Sequence, residues 1–239
     1  PIDNIGLIQA MDKNDIDKSV AMGFPWLNES LCKKQNDYLI FTKEKFQGKI
    51  LPFGSIPLYT KNIYKWAKSL KEDGFLGIGE VGFYSKGFDK KAERYLINLI
   101  EVVHDLSLPL CIHVNEPVGH KYTGKYEPSL SRLYSAVTRI PEASIIFSHW
   151  GGGLIFYELM PEIFKSFKNF YYDTSASPYI YDDLIYEIAI KIKGPDKILF
   201  GSDFPLINFK KYIKTIKNIC SKKQSELILG KNSAKLLGI

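Results

Sequence analysis

Short runs of β-branched, aromatic and aliphatic residues alternate along the chain with longer stretches whose apolar positions recur every three or four residues. The first pattern predicts strands and the second amphipathic helices. A helix is expected over 5–14, where Ile5, Ile8 and Met11 share a face and Asp3 or Asn4 offers an N-cap. Strands follow at 19–23 and 50–56. A helix over 60–73 turns Ile63, Trp66, Ala67 and Leu70 to one side, and Gly74 stands just past it as a stop. The alternation continues with a strand at 75–83, a helix over Lys90–Asp105 with Ala92, Tyr95, Leu96, Leu99 and Val103 inward, and a strand at 108–114. Beyond it come helix 129–139, strand 144–150, helix 156–167, strand 170–175 and helix 181–192. Strand 198–203, helices 208–220 and 225–229 and a terminal turn at 232–237 complete the pattern.

Strands that read as unbroken apolar runs, each feeding a helix, predict a parallel sheet covered on both faces. Two closures fit: an open doubly wound sheet, or a (β/α)8 TIM barrel. The open sheet calls for a glycine-rich phosphate fingerprint after an early strand, and none is seen. A barrel normally takes ~250 residues. This chain has 239, starts with Pro1 rather than Met, and opens on a helix. The expectation is an α/β chain forming one barrel domain over 1–239, with the first strand upstream of Pro1 and absent from the sequence.

Composition narrows the function classes. No apolar run approaches the ~18 residues of a membrane span, so no membrane partner is expected. Cys32, Cys111 and Cys220 lie far apart and fit neither a disulfide framework nor a cysteine zinc site, which points to a reducing, cytoplasmic compartment. The net charge of +6 comes with only three arginines, Arg94, Arg132 and Arg139. Lysines such as Lys61, Lys65, Lys68 and Lys71 fall on a helix exterior, so the charge reads as a soluble basic surface and no nucleic-acid partner is expected. Exposed aromatics such as Tyr179, Tyr181 and Phe209 permit a homodimer interface.

Polar residues at strand ends carry the functional signal, because barrels place catalytic groups at the C-terminal ends of their strands. His113 ends CIHV and His149 ends FSHW; Glu80, Asp173 and Asp203 stand in GIGEVG, YYDTSAS and FGSDFP. Ionisable groups gathered at one mouth need a counter-charge, and a divalent cation supplies it. Plainer readings stand beside these. A strand-end histidine can be a hydrogen-bonded core residue, and Asp173 can cap the following turn. Gly151, Gly152 and Gly153 can cradle an anion or simply let the chain turn closely. Trp150 can pack or stack on a substrate. His104, on a helix exterior, is assigned no chemistry.

At these residues the sequence resembles the metal-dependent amidohydrolase superfamily, in the branch of aminocarboxymuconate-semialdehyde decarboxylase and related lactonases, hydratases and decarboxylases. MDKNDIDKSVAMGFPW (11–26) is similar to that branch's passage from first helix to second strand. PLCIHV, SHWGGG and GSDFP resemble its fifth, sixth and eighth strand ends, and GKNSAKLLGI its closing helix. The resemblance implies that His113 is a metal ligand and that His149 either binds a second metal or acts as acid/base. It implies that Asp203 touches both metal and attacking water. Glu80 departs from the one-metal branch: GEVG is similar to the GEIG of TatD-like nucleases, where the glutamate bridges two cations. HVNEPVGHKYTGK (113–125) resembles a loop of that branch, which implies either that Glu116, His120 and Lys125 line the substrate pocket or that the loop serves a structural role; Trp150 is expected at the substrate beside them. The family's first-strand His-x-His pair is absent from this chain.

The chemistry so implied is a metal-dependent hydrolase, with one or two zinc ions, or manganese, and a small-molecule ester, lactone or amide-type substrate. Asp203 accepts the proton of the attacking water, and His149 is a metal ligand or an acid. Non-oxidative decarboxylation of an unsaturated or aromatic acid is the alternative. It needs a cation for the substrate carboxylate; no arginine lies at a predicted strand end, but Lys125 could substitute. A TatD-like phosphodiesterase and a catalytically dead barrel are further readings, the last if nothing upstream supplies His-x-His.

Overall fold

The predicted strands pair side by side in chain order. The computed structural model describes residues 2–85 and 87–239. Its strands β1 (Ser19–Ala21), β2 (Ile50–Gly54), β3 (Gly77–Val81), β4 (Leu110–Ile112), β5 (Ile145–Phe147), β6 (Phe170–Asp173) and β7 (Ile198–Leu199) form one parallel sheet in the order β1-β2-β3-β4-β5-β6-β7. Each is shorter than its apolar run, because the flanking residues turn toward helices and loops.

Parity along these strands explains the unbroken apolar runs. Ile78, Leu110, Ile112, Ile145, Phe147, Phe170, Tyr172 and Ile198 pack in the core between sheet and helices. Phe53, Cys111, Ile146 and Leu199, with Val20 and Tyr171, form a second core inside the curl of the sheet. Gly77 leaves room for the Phe53 ring, which a Cβ would meet at 2.5 Å. The same inward parity aims Asp173, the last residue of β6, and His113, just past β4, at the mouth.

The helices are α1 (Asn4–Lys13), α2 (Glu29–Lys45), α3 (Ile63–Glu72), α4 (Lys90–Asp105), α5 (Leu130–Val137), α6 (Leu154–Tyr157), α7 (Pro161–Ser166), α8 (Ser177–Ile180), α9 (Leu184–Lys193), α10 (Phe209–Ile219), α11 (Lys222–Glu226) and α12 (Asn232–Leu237). Asp3 caps α1, accepting from Gly6 N. Helix α2 is absent from the sequence reading. Two of its buried positions are polar, Asn36 and Thr42, which blurs its apolar face. Asn36 exchanges two 2.9 Å hydrogen bonds with the Ser55 backbone, so this polar residue docks the helix on the chain leaving β2. The helix expected over 156–167 is instead two, because Pro161 supplies no N–H and starts a new one at α7. Phe209, expected to be exposed, is 3% exposed: it packs with Ile8, Met11 and Ile50 and stacks on Phe204 at 4.7 Å.

Among the described residues no ladder joins β1 to β7, and the seven strands expected in this chain form a curled, barrel-like parallel sheet. A groove of about 1440 Å³ runs between those two edges, lined from Leu236 and Leu237 up to Glu80, His149 and Asp203. The first strand expected upstream of Pro1 lies outside the described residues. Among the described residues no helix is long and apolar enough to cross a membrane.

Candidate metal centre

Glu80 reaches the mouth through an irregularity in β3. Ile78 pairs with Leu110 and Val81 with Ile112, so β3 spends one residue more than β4 over the same span. Such a bulge re-aims a side chain. Here both Ile78 and Val81 face the helices, and the extra residue lets Gly79 and Glu80 both turn inward. Gly79 is required there, since a Cβ would lie 2.7 Å from that of Cys111.

His113 follows β4, and His149 lies just past the end of the neighbouring β5, whose Phe147 is level with Ile112. His149 has φ 57° and Trp150 φ 57°, a left-handed pair that begins the HWGGG turn. Asp203, after β7, has φ 54°. Non-glycine residues held at positive φ carry strain that concentrates at functional sites.

Three ligand atoms converge. His113 Nδ1 lies 3.1 Å from His149 Nε2 and 3.2 Å from Glu80 Oε1, and His149 Nε2 is 3.8 Å from the same oxygen. A tetrahedral zinc with bonds of about 2.05 Å has donor–donor edges of about 3.3 Å. The triangle has that size, and two imidazoles plus a carboxylate are a donor set that divalent cations take. These residues fit a divalent metal once His113 Nδ1 gives up the N–H it carries while Nε2 accepts from the Asn115 amide.

Charge is balanced closely. Burial alone would raise the Glu80 carboxyl, but the adjacent His113, with His149 and the Ser148 hydroxyl, pulls it down to about 2. Burial would lower the His149 imidazole; Glu80, Asp173 and Asp203 overcome this and raise it above its ordinary value. Asp203 opens on the groove rather than joining the three, and the surrounding protein raises its carboxyl, aided by Glu80 and Asp173 and opposed by His149 and His113.

The supporting contacts are equally specific. Asp173 Oδ1 accepts from His149 N at 3.0 Å, from Ser175 N at 2.9 Å and from the Ser175 hydroxyl. On the other side Asn115 Nδ2 meets His113 Nε2 at 3.0 Å, while Asn115 Oδ1 accepts the Tyr126 N–H. Tyr84 packs against His113 at 5.0 Å and stacks on Phe24 at 5.3 Å, forming an aromatic wall above Glu80.

The amidohydrolase family profile matches residues 8–239. The chain belongs to the amidohydrolase family. Solved structures with the same fold extend the match. A 2,6-dihydroxybenzoate decarboxylase, solved with 2,6-dihydroxybenzoate, gives a TM-score of 0.79 at 17% identity, over 98% of this chain and 87% of that one. The 5-carboxyvanillate decarboxylase of Sphingomonas paucimobilis gives 0.75 at 15% identity, over 97% and 82%. A dihydroxybenzoic acid decarboxylase of Polaromonas, with bound manganese and 2-nitroresorcinol, gives 0.73 at 19% identity, over 97% and 85%. No curated protein matches the sequence. Family membership makes this chain an enzyme of the metal-dependent kind that its strand-end motifs resemble.

Within this amidohydrolase the expected site residues divide. Glu80, His113 and His149 meet, with Asp203 nearby at the groove. Trp150 is not at the substrate: it is 0% exposed, donates from Nε1 to Ser177 Oγ at 2.7 Å, and meets Tyr186 edge-on. Lys125 is turned to its own loop, donating to Val118 O at 2.6 Å and His120 O at 3.2 Å, and His120 lies exposed beside Tyr122. Glu116 is buried; its Oε2 accepts from Tyr122 at 3.2 Å and its Oε1 has no partner among the described residues. Asp173 does cap its turn, as the plainer reading had it, and also holds His149 in place. Ser175, Asn115 and Tyr84 were missed; only the DTS triplet hinted at Ser175.

The glycine run serves close approach. A Cβ on Gly152, at φ +59°, would lie 2.3 Å from the Asn115 carbonyl oxygen. Gly152→Ala is expected to destabilise by about 2 kcal/mol or more, since neither backbone can yield cheaply. A thermal melt within a degree of the parent would refute that close contact.

Proposed function

We propose that this chain is a metal-dependent hydrolase of a small molecule, cleaving an ester, lactone or amide-type bond. The triangle of His113 Nδ1, His149 Nε2 and Glu80 Oε1 carries the reading. These residues would hold zinc, with manganese the alternative suggested by the Polaromonas neighbour. A divalent cation supplies Lewis acidity there and lowers the pKa of water toward ~7. Asp203, facing the groove with its carboxyl raised, is suited to take a proton from water and deliver it to the leaving group. Phe24 and Tyr84, which line the groove, would flank the substrate.

We also propose that the facing edges of β1 and β7 take one more strand, which would close the groove between those edges below the mouth and complete a (β/α)8 barrel. The family resemblance would put a His-x-His pair on that strand. Buried free thiols at Cys32, Cys111 and Cys220 support a cytoplasmic location.

Decarboxylation is the second reading, favoured by the activities named for the structural neighbours. It is weakened by Lys125, whose ammonium is engaged by Val118 O and His120 O, and by Arg132, which pairs with Glu93 at 3.1 Å. The two part on a single assay. Zinc- or manganese-loaded protein, given aryl esters, lactones and 2,6-dihydroxybenzoate in ¹⁸O-water, should put ¹⁸O into a product; release of CO₂ without it would overturn hydrolysis. Asp203→Asn should lower kcat by about 10²- to 10⁴-fold with the metal content kept.

A further inference from the structure

The contacts behind His149 decide which of its ring nitrogens carries the proton. Asp173 Oδ1 collects two backbone N–H groups, those of His149 at 3.0 Å and Ser175 at 2.9 Å, as an ionised carboxylate does. The Ser175 hydroxyl donates to that same oxygen. A hydroxyl has one proton, so what Ser175 Oγ offers to His149 Nδ1, 2.9 Å away, is a lone pair. The other neighbour of Nδ1 is the Ser175 carbonyl oxygen at 3.2 Å, which can only accept. With acceptors on both sides, Nδ1 must carry the N–H, and a neutral imidazole then has its lone pair on Nε2. That is the atom 3.1 Å from His113 Nδ1.

We propose that Ser175 is a positioning residue: the chain Asp173–Ser175–His149 pins the imidazole proton on Nδ1 and so assigns Nε2 to the cation. The proposal rests on the metal-centre reading and deepens it, because it makes His149 a ligand toward the site rather than an acid. Outer partners of this kind orient a ligating imidazole and fix its tautomer. His149 and Ser175 are both buried, and among the described residues Nδ1 of His149 meets only the Ser175 hydroxyl and the Ser175 carbonyl oxygen.

The test uses ¹⁵N-histidine-labelled protein and Ser175→Ala. Long-range ¹H–¹⁵N correlations on the metal-free protein, at alkaline pH where imidazole is neutral, report which nitrogen of His149 bears the proton. Zn²⁺ affinity is measured alongside by competition with a chromogenic chelator. The expected result is an Nδ1–H tautomer in the parent and a Zn²⁺ affinity about 10-fold or more weaker in Ser175→Ala, with an unchanged circular dichroism spectrum. A proton on Nε2 in the parent, or equal Zn²⁺ affinity in the two proteins, overturns the role given to Ser175. Should the parent bind neither Zn²⁺ nor Mn²⁺, the metal-centre reading fails instead, and the tautomer alone still decides the Ser175 chain. The tautomer measurement needs no variant, so a Ser175→Ala protein that does not fold leaves the proposal open to refutation.

Discussion

His113→Ala is expected to strip the protein of its divalent cation and of its activity together. His113 Nδ1 is the atom shared by both short edges of the donor triangle, 3.1 Å from His149 Nε2 and 3.2 Å from Glu80 Oε1. Without it two donors remain, 3.8 Å apart, on one side of the cavity. Loss of an outer partner alone typically weakens a site 10–100-fold, so loss of a direct donor should exceed about 100-fold. Elemental analysis and chelator competition measure it; full metal occupancy in His113→Ala would remove His113 from the site.

The same site should load better as pH rises. His149 binds its proton more tightly than an ordinary imidazole, because Glu80, Asp173 and Asp203 outweigh its burial. A cation must displace that proton, so apparent affinity should climb by about tenfold per pH unit while His149 remains protonated, then level off. Glu80, held down to about 2, stays ionised throughout and adds no slope above the acid range. In the metal-free protein the raised imidazole stabilises the fold fully below its unfolded titration range, and the contribution is lost as pH rises through its folded value.

Glu158→Ala should be the most destabilising change far from the mouth. Glu158 lies just past α6, and its side chain is completely buried beside Lys193 at the end of α9. Glu158 Oε2 receives the Lys193 ammonium at 2.5 Å, and Oε1 receives the Tyr172 hydroxyl at 2.7 Å. Lys193 also donates to Phe167 O at 2.8 Å and lies over the Phe164 and Phe167 rings. Removing the carboxylate strands an ammonium among aromatic rings, which costs about 3–5 kcal/mol. For a chain of this size that is roughly a 10 °C fall in Tm. The paired change Glu158→Leu with Lys193→Met should recover most of the loss, since a buried ion pair is often no better than apolar residues of similar volume. A melt of Glu158→Ala within two degrees of the parent would show that the pair is not sealed from water.

Much of this was legible in the sequence, and the reason is local. Periodicities of two and of three to four residues report which side of a strand or helix a residue faces, and that needs only neighbouring positions. His113 sits two residues after inward Cys111, so its aim follows from parity. Helix α4 is the same in sequence and structure because its five inward positions are all apolar. Helix α2 was hidden because Asn36 and Thr42 occupy inward positions, and only docking to Ser55 reveals why.

What the sequence determined by itself is the order of strands and helices, the inward parity of the strand ends, and the set of groups presented at one mouth: Glu80, His113, His149, Asp173 and Asp203. Tertiary structure alone decided how that set divides. The bulge in β3 brings Glu80 to the two imidazoles, Asp173 turns beneath His149 through Ser175, and Asp203 stays at the groove. It also seated Trp150 in the core and spent Lys125 on its own loop. The physical reason is that parity is a property of one strand, whereas distance between side chains depends on register between strands and on the paths of the loops that leave them.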